Sequence, residues 1–368
     1  MAHVLLFKQV AIPAWRIAMF NKRKILGLSI VTMVLSVPAP AGLKKGDKAA
    51  AGAGEITDSE LVNVLWREPT DIRSRNLYYG PGGAEHQPHS TYTFEKEDLD
   101  GTNPKFVVRD ENGVKWKVKL GEEAKPETVA SRLVWAVGYN TNEDYFLPEL
   151  RVKEMPAHLQ RRSAAKFIEA DGSMRNVRLK RYLEGEKKVS SWKWRDDPFA
   201  GTREYNGLRV MMAVINNWDL KDENNSIYVE KRSRGSEGNE RVYMVSDLGA
   251  SFGSWGMERS HAASKGNLDE YRRRKFLRKI GPEFVDFEVP HRPALFVLLN
   301  PHEFFMRVHL EWIGRRIPRT DAKWIGQELA QLSPGQIRDA FRSAGYTPAQ
   351  VEGFSTVIES RIAALNRL

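Results

Sequence analysis

Apolar and polar residues alternate in short runs between residues 76 and 183, which predicts a lobe made largely of β-strands. The predicted extended segments are 91–94, 105–109, 114–120, 145–152, 165–169 and 177–183. One helix is predicted between the third and fourth of these segments, with Pro126 at its first position and Gly138 as its terminator. We therefore expect a small antiparallel sheet with one inserted helix.

Helical spacing dominates the chain from residue 184 to residue 368. A helix is predicted over 202–216, and the last two helices each begin with a capping box, at Ser333 and at Thr347. One β-hairpin, formed by 226–230 and 241–246, interrupts the helices. The whole pattern predicts an α+β protein with a small β-lobe and a larger, mainly helical lobe.

The N-terminal region has the pattern of a targeting segment. The basic residues 22–24 follow Asn21 and precede an apolar run over 25–37, and small residues lead to Ala41, which is typical of a secretory signal cleaved after Ala41. The apolar run is too short for a stable transmembrane span. Residues 42–75 are predicted to be a linker with a short helix over 55–67. We expect export to the periplasm or the extracellular space, with a cytoplasmic location as the alternative.

Composition narrows the chemistry. The 368 residues carry a net charge of +10 and include no cysteine. The absence of cysteine excludes disulfides, thiolate metal sites and cysteine nucleophiles. The positive charge favours anionic partners, but it is spread along the chain and selects none of them. The segment Trp192-Lys193-Trp194-Arg195 resembles a nucleic-acid-binding pattern, yet we expect its tryptophans to pack on the lobe beneath.

The segment that carries chemistry lies between the helix over 202–216 and the hairpin. It has the order Asp219-x-Lys221-x-x-Asn224, and the hairpin leads directly into Asp247-Leu248-Gly249. This order resembles the catalytic loop and the metal-binding motif of the protein-kinase-like superfamily. The resemblance covers roughly residues 90–310 and implies a two-lobed protein-kinase-like fold, with a lobe boundary near residue 183.

The resemblance implies a role for each residue of the segment. Asp219 would orient an acceptor hydroxyl and take its proton, and Lys221 would lie near the moving phosphoryl group. Asn224 and Asp247 would supply the oxygen ligands of Mg²⁺ across the phosphates of ATP.

The first lobe offers the other parts of a nucleotide site. Lys119 precedes Glu127 by eight residues, which resembles the phosphate-binding lysine and helix acid of phosphoinositide-type kinases. Lys117 lies on the same face of its predicted strand and is the alternative phosphate ligand. Gly101 is the one glycine in the loop that would cover the nucleotide.

The sequence departs from ordinary protein kinases in several ways. It has no G-x-G-x-x-G between the first two strands, it has Trp218 where those kinases have arginine, and no Ala-Pro-Glu follows Asp247. The phosphoinositide, HipA-type and secretory-pathway kinases share such omissions, so the resemblance is to an atypical kinase.

We therefore expect a monomeric phosphotransferase that uses ATP and Mg²⁺, with a protein, a lipid or a small molecule as the acceptor and with no nucleic-acid partner. Two alternatives stay open. The chain is a nucleotide-binding pseudokinase or an AMP-transferring enzyme of the same fold, or it is a secreted, non-enzymatic protein that binds anionic surfaces.

Overall fold

A computed structural model describes residues 61–100, 103–183, 185–217, 219–230, 239–253, 265–289, 297 and 301–368. The predicted signal (1–41) and most of the predicted linker lie outside the described residues, as do Gly101 and Trp218. These predictions therefore stay predictions. Among the described helices, none combines the length and the apolar character that crossing a bilayer requires.

The first described element is strand β1 (Val62–Val64), and the helix predicted over 55–67 is wrong for this part. The strand pairs in parallel with residues 240–242, and Arg67 forms an ion pair with Glu240 at 2.5 Å. A few apolar residues at helical spacing are a weak signal, and here the hydrogen bonds offered by an open sheet edge override it.

The small lobe is a five-stranded antiparallel sheet in the order β2-β3-β4-β6-β5. Its strands are β2 (Tyr92–Asp98), β3 (Lys105–Asp110), β4 (Lys115–Leu120), β5 (Asp144–Leu150) and β6 (Met174–Arg181). Helix α1 (Ala124–Ala136) is inserted between β4 and β5. The predicted strand over 165–169 is wrong for its first part, because residues Arg162–Phe167 form a 3₁₀ turn.

The two faces of this sheet differ because successive side chains of a strand point to opposite sides. On one face, Phe106, Trp116, Val118 and Leu179 join a buried cluster with the segment that follows β5. The opposite face presents lysine and arginine residues from β3, β4 and β6. The same alternation that builds the core of the lobe therefore builds a charged surface.

Helix α1 begins two residues earlier than predicted, so Pro126 occupies its third position and Glu123 is the N-cap. Proline is tolerated there because the first N–H groups of a helix have no partner within it. Gly138 follows the C-cap with φ of 97°, as its predicted role as a terminator requires. This early start places Glu123 at the mouth of the site described below.

The large lobe combines a second sheet with several helices. Its strands β7 (Glu186–Ser190), β8 (Asn225–Glu230) and β9 (Glu240–Val245) form a sheet with β1 in the order β1-β9-β8-β7. Strands β10 (Leu277–Ile280), β11 (Phe284–Phe287) and β12 (Ile317–Pro318) form a third, small sheet. The helices are α2 (Arg203–Val214), α3 (Leu268–Arg273), α4 (Pro301–Leu310), α5 (Arg319–Leu329), α6 (Pro334–Arg342) and α7 (Pro348–Asn366).

One large apolar core holds this lobe together and also takes in the inner face of α1. Phe252, Tyr271, Phe341 and Phe354 form its aromatic centre, with ring centroids 5.1–6.1 Å apart. Val129 and Leu133 of α1 belong to the same cluster, so the helix links the two lobes. The predicted two-lobed α+β architecture is confirmed.

Local predictions for this lobe are also confirmed. Both capping boxes are formed, with Ser333 and Thr347 each accepting a hydrogen bond from the backbone of the glutamine three residues later. Trp192 and Trp194 are buried, as expected for side chains that pack on the lobe beneath.

The buried carboxyl of Asp197 makes the stability of this lobe dependent on pH. Burial raises the pKa of Asp197 to about 6, from an ordinary value of about 4. The side chain is 6% exposed, and only its Oδ1 accepts a hydrogen bond, from the Phe199 N–H. Because the folded pKa is raised, the free energy of unfolding falls as pH rises from about 4 to about 6.

We expect Asp197→Asn to raise the free energy of unfolding at pH 7.5 by about 1–2 kcal/mol and to have little effect at pH 4, because the asparagine stays neutral. Urea denaturation at both pH values measures this. Asp196→Asn, at the exposed neighbouring position, is the control. An equal effect of Asp197→Asn at both pH values would show that the carboxyl does not titrate as described.

Candidate active site

A cleft of about 750 Å³ lies between the charged face of the small-lobe sheet and the loop that precedes β8. It brings together every described residue of the predicted site: Lys117, Lys119, Glu127, Asp219, Lys221, Asn224 and Asp247. These residues come from β4, α1, the loop after α2 and the end of the β8–β9 hairpin. Gly101 is the one predicted site residue outside the described part of the chain.

Lys119 is the centre of the cleft. Its ammonium Nζ lies 2.5 Å from Glu123, 3.0 Å from Glu127 and 3.2 Å from Asp247. The side chain is 2% exposed. Burial lowers the pKa of Lys119, but the carboxylates of Asp247, Glu123 and Glu127 outweigh it, so the pKa is raised well above its usual value. Lys119 is therefore a permanent cation that joins residues of both lobes.

Glu123 belongs to this site and was missed by the sequence analysis. Its carboxylate contacts Lys119, forms an ion pair with Lys265 and accepts a hydrogen bond of 2.6 Å from Asn103. These cations outweigh the effect of burial and lower the pKa of Glu123. A signal was present in the sequence, because Glu123 precedes Glu127 by four residues, a spacing that places both acids on one side of a helix.

Glu127 is the innermost acid of the site. One oxygen contacts Lys119, and the other accepts a hydrogen bond of 3.1 Å from Arg178 of β6, which also lies 3.4 Å from Asp144. Complete burial raises the pKa of Glu127 to about 7, with Arg178 and Lys119 opposing the shift and Asp247 and Asp144 adding to it. Glu127 is therefore held between two cations in a site where its charge is costly.

The loop before β8 has its own internal support. Asn217 Oδ1 accepts a hydrogen bond of 2.9 Å from the Asp219 N–H, and Asn224 Nδ2 donates one of 2.6 Å to the Asp219 carbonyl. Lys221 Nζ lies 3.6 Å from the Asp219 carboxylate. These contacts hold the acidic side chain of the loop at the edge of the cleft, about one quarter exposed at 26%.

The hairpin brings Asp247 to this loop although 22 intervening residues separate it from Asn224. The N–H groups of Ser246 and Asp247 donate to the Asn224 carbonyl at 2.8 and 3.2 Å. The Gly249 N–H donates to Asp247 Oδ1 at 3.3 Å. The carboxylate is 36% exposed and faces the cleft.

Two sets of oxygen atoms are candidates for holding a cation. The carboxylates of Glu123, Glu127 and Asp247 lie within 4.8 Å of one another, but the Lys119 ammonium already lies among them. Asn224 and Asp247 offer oxygen atoms at the more open end of the cleft. Because the Asn224 amide nitrogen is committed to the Asp219 carbonyl, its Oδ1 is the atom that remains for a ligand.

Lys117 lines the cleft, but its ammonium lies 2.7 Å from Asp98 of β2. Lys105, the first residue of β3, lies directly opposite Lys119 on the neighbouring strand. The sequence analysis did not single it out. Its register opposite Lys119 depends on how β3 and β4 pair, which strand periodicity alone does not specify.

Comparisons with known proteins give structural similarities only. No family model matches the sequence, and no curated protein matches it. Among solved structures, the chain is similar to the proinflammatory kinase CtkA of Helicobacter pylori, with 11% identity and a TM-score of 0.42 over 76% of this chain and 98% of that chain.

Two further similarities are weaker. The Rio2 kinase of Chaetomium thermophilum, in an ADP/Mg²⁺-phosphoaspartate complex, has 11% identity and a TM-score of 0.29 over 74% of this chain and 72% of that chain. The Golgi casein kinase has 10% identity and a TM-score of 0.32 over 76% and 71%. At these values none of them assigns an activity or a substrate to this chain. The two-lobed α+β architecture rests on the sheets and helices described above, and the resemblance to the protein-kinase-like superfamily stays a prediction.

Proposed function

We propose that this chain is a phosphotransferase that uses ATP and Mg²⁺. The observation that supports this best is the position of the Lys119 ammonium between Glu127 of α1 and Asp247 of the other lobe. A cation held in this way is suited to bind the phosphate oxygens of a nucleotide, because a phosphate can replace one of its carboxylate partners.

Asn224 and Asp247 fit the requirements of a magnesium site. Both offer oxygen atoms, which Mg²⁺ prefers, and both line the cleft. Mg²⁺, when bound, offsets the negative charge of the phosphate chain during transfer. Asn224 is hydrogen-bonded through its carbonyl to the hairpin and through its amide to the loop. These bonds would hold Asn224 and Asp247 close enough to share one metal ion.

Asp219 is proposed to act on the acceptor. Its carboxylate would orient an acceptor hydroxyl and take its proton as the acceptor oxygen forms a bond to the γ-phosphorus. The bond between that phosphorus and the bridging oxygen of ADP breaks, and ADP leaves with the electron pair. Lys221, 3.6 Å from Asp219, would offset the charge of the moving phosphoryl group.

A nucleotide-binding pseudokinase is the second candidate. It is favoured by the three carboxylates that already engage Lys119, since a phosphate must displace one of them to bind. Binding of ATP without formation of either ADP or an AMP-modified product would support it. The proposed acceptor is a protein, a lipid or a small molecule. We also propose that residues 1–41 direct export.

We expect Asp247→Asn to lower the rate of ADP formation by about a hundredfold or more, because the variant loses the charged oxygen ligand. A coupled assay of ADP release with excess Mg²⁺ measures this, together with mass spectrometry of the chain for self-modification. The control is Asp339→Asn on α6, a half-exposed position outside the cleft. Unchanged ADP formation in the Asp247 variant would contradict the assignment of the metal site.

We expect Asp219→Asn to lower kcat by about 10²- to 10⁴-fold while the affinity for ATP changes little, because the residue is proposed to act on the acceptor hydroxyl and not on the nucleotide. Nucleotide affinity by calorimetry and turnover by ADP release separate the two effects. A parallel loss of ATP affinity would place the carboxylate in nucleotide binding instead.

A further inference from the structure

Lys105 occupies a position on the small-lobe sheet that no part of the proposed mechanism uses. It pairs directly with Lys119 across β3 and β4, and Lys119 pairs in turn with Arg178 of β6. Directly paired residues of neighbouring strands point to the same face. The three cations therefore form a row on the face that lines the cleft.

The other cations of this face have partners. Lys119 and Arg178 contact the carboxylates described above, Lys117 lies 2.7 Å from Asp98, and Lys180 donates to the Tyr228 hydroxyl at 2.9 Å. Among the described residues, the Lys105 side chain forms neither a hydrogen bond nor an ion pair. Burial lowers the pKa of Lys105 and the charge of Lys119 lowers it further, while Asp247 and Asp98 oppose the shift. The ammonium groups of Lys105 and Lys119 repel each other. An anion between them would attract both and offset this repulsion.

The lining of the cleft indicates what kind of anion it suits. Among its described residues, none is aliphatic, and most are charged or carry amide or hydroxyl groups. Such a lining offers many donors for the oxygen atoms of an anion. A ligand with several phosphate groups fits it best.

We propose that Lys105 is a second phosphate-binding lysine, which contacts the phosphate chain of the nucleotide beside Lys119. This inference rests on the proposed function. Lys105 belongs to the small lobe, directly after the loop that joins β2 to β3, whereas the proposed base Asp219 lies on the loop of the large lobe. The nucleotide, and not the acceptor, is therefore the ligand within its reach.

The test compares the affinities of ATP, ADP and AMP for the full chain, measured by calorimetry with Mg²⁺ present. Lys105→Met should weaken ATP binding by about ten- to a hundredfold, the effect of one charge-assisted hydrogen bond. It should weaken ADP binding less and AMP binding by less than about threefold, because the shorter chains lose the contact. Lys105→Arg should retain most of the affinity for ATP, since it keeps the charge.

Lys115→Met is the matched control. It removes one lysine from the neighbouring strand at an exposed position outside the cleft, and it should change ATP affinity by less than about threefold. Thermal unfolding of each variant verifies that the fold is intact.

The outcomes separate the inference from the function on which it rests. If the wild-type chain binds no nucleotide, the proposed function fails and the inference falls with it. If the wild type binds ATP and Lys105→Met binds it equally well, the inference alone is overturned. An equal loss for AMP and ATP would also overturn it, because the effect would then not follow the phosphate chain.

Discussion

The ammonium of Lys119 is the group on which the rest of the site depends. It is buried and shared by Glu123 and Glu127 of the small lobe and by Asp247 of the large lobe. Removing one partner of a buried ion pair leaves an uncompensated charge and costs about 3–5 kcal/mol. This contact therefore joins strand β4, helix α1 and the end of the hairpin, in addition to the apolar packing of α1 against the large lobe. A ligand that changes the partners of Lys119 acts on both lobes at once.

The charges around Lys119 explain why a buried ion-pair network, although costly, is suited to binding a metal ion and phosphates. Lys119, Arg178 and Lys265 face four acids in one connected network. An excess of acid in a buried cluster attracts a further cation, and the open end at Asp247 is where one could enter. The same network lies beside Lys105, which lacks an acidic partner of its own among the described residues. The cleft thus places an acid suited to a metal ion beside the cations suited to phosphates.

Much of this site could be predicted from local sequence, and the rest could not for physical reasons. The pairing of Lys119 with Glu127 follows from a strand that leads directly into a helix, and the convergence of Asn224 and Asp247 follows from a hairpin. Arg178 and Lys105 depend on which strands become neighbours and in what register, and local periodicity carries no such information. The same limit explains why the helix predicted over 55–67 is wrong for its described part, where a sheet edge far along the chain determines the structure.

Strand register also makes the core and the cleft inseparable in this lobe. In β4, Trp116, Val118 and Leu120 fill the apolar cluster, while the intervening Lys117 and Lys119 face the cleft. A slip of one residue in this strand would bury lysines in the core and expose the apolar side chains. The free energy that drives the apolar face together therefore also holds the ammonium of Lys119 in place. The apolar packing on one face of the sheet therefore fixes the positions of the lysines on the other face. Mutations in that apolar cluster are expected to displace these lysines even though they do not touch the cleft.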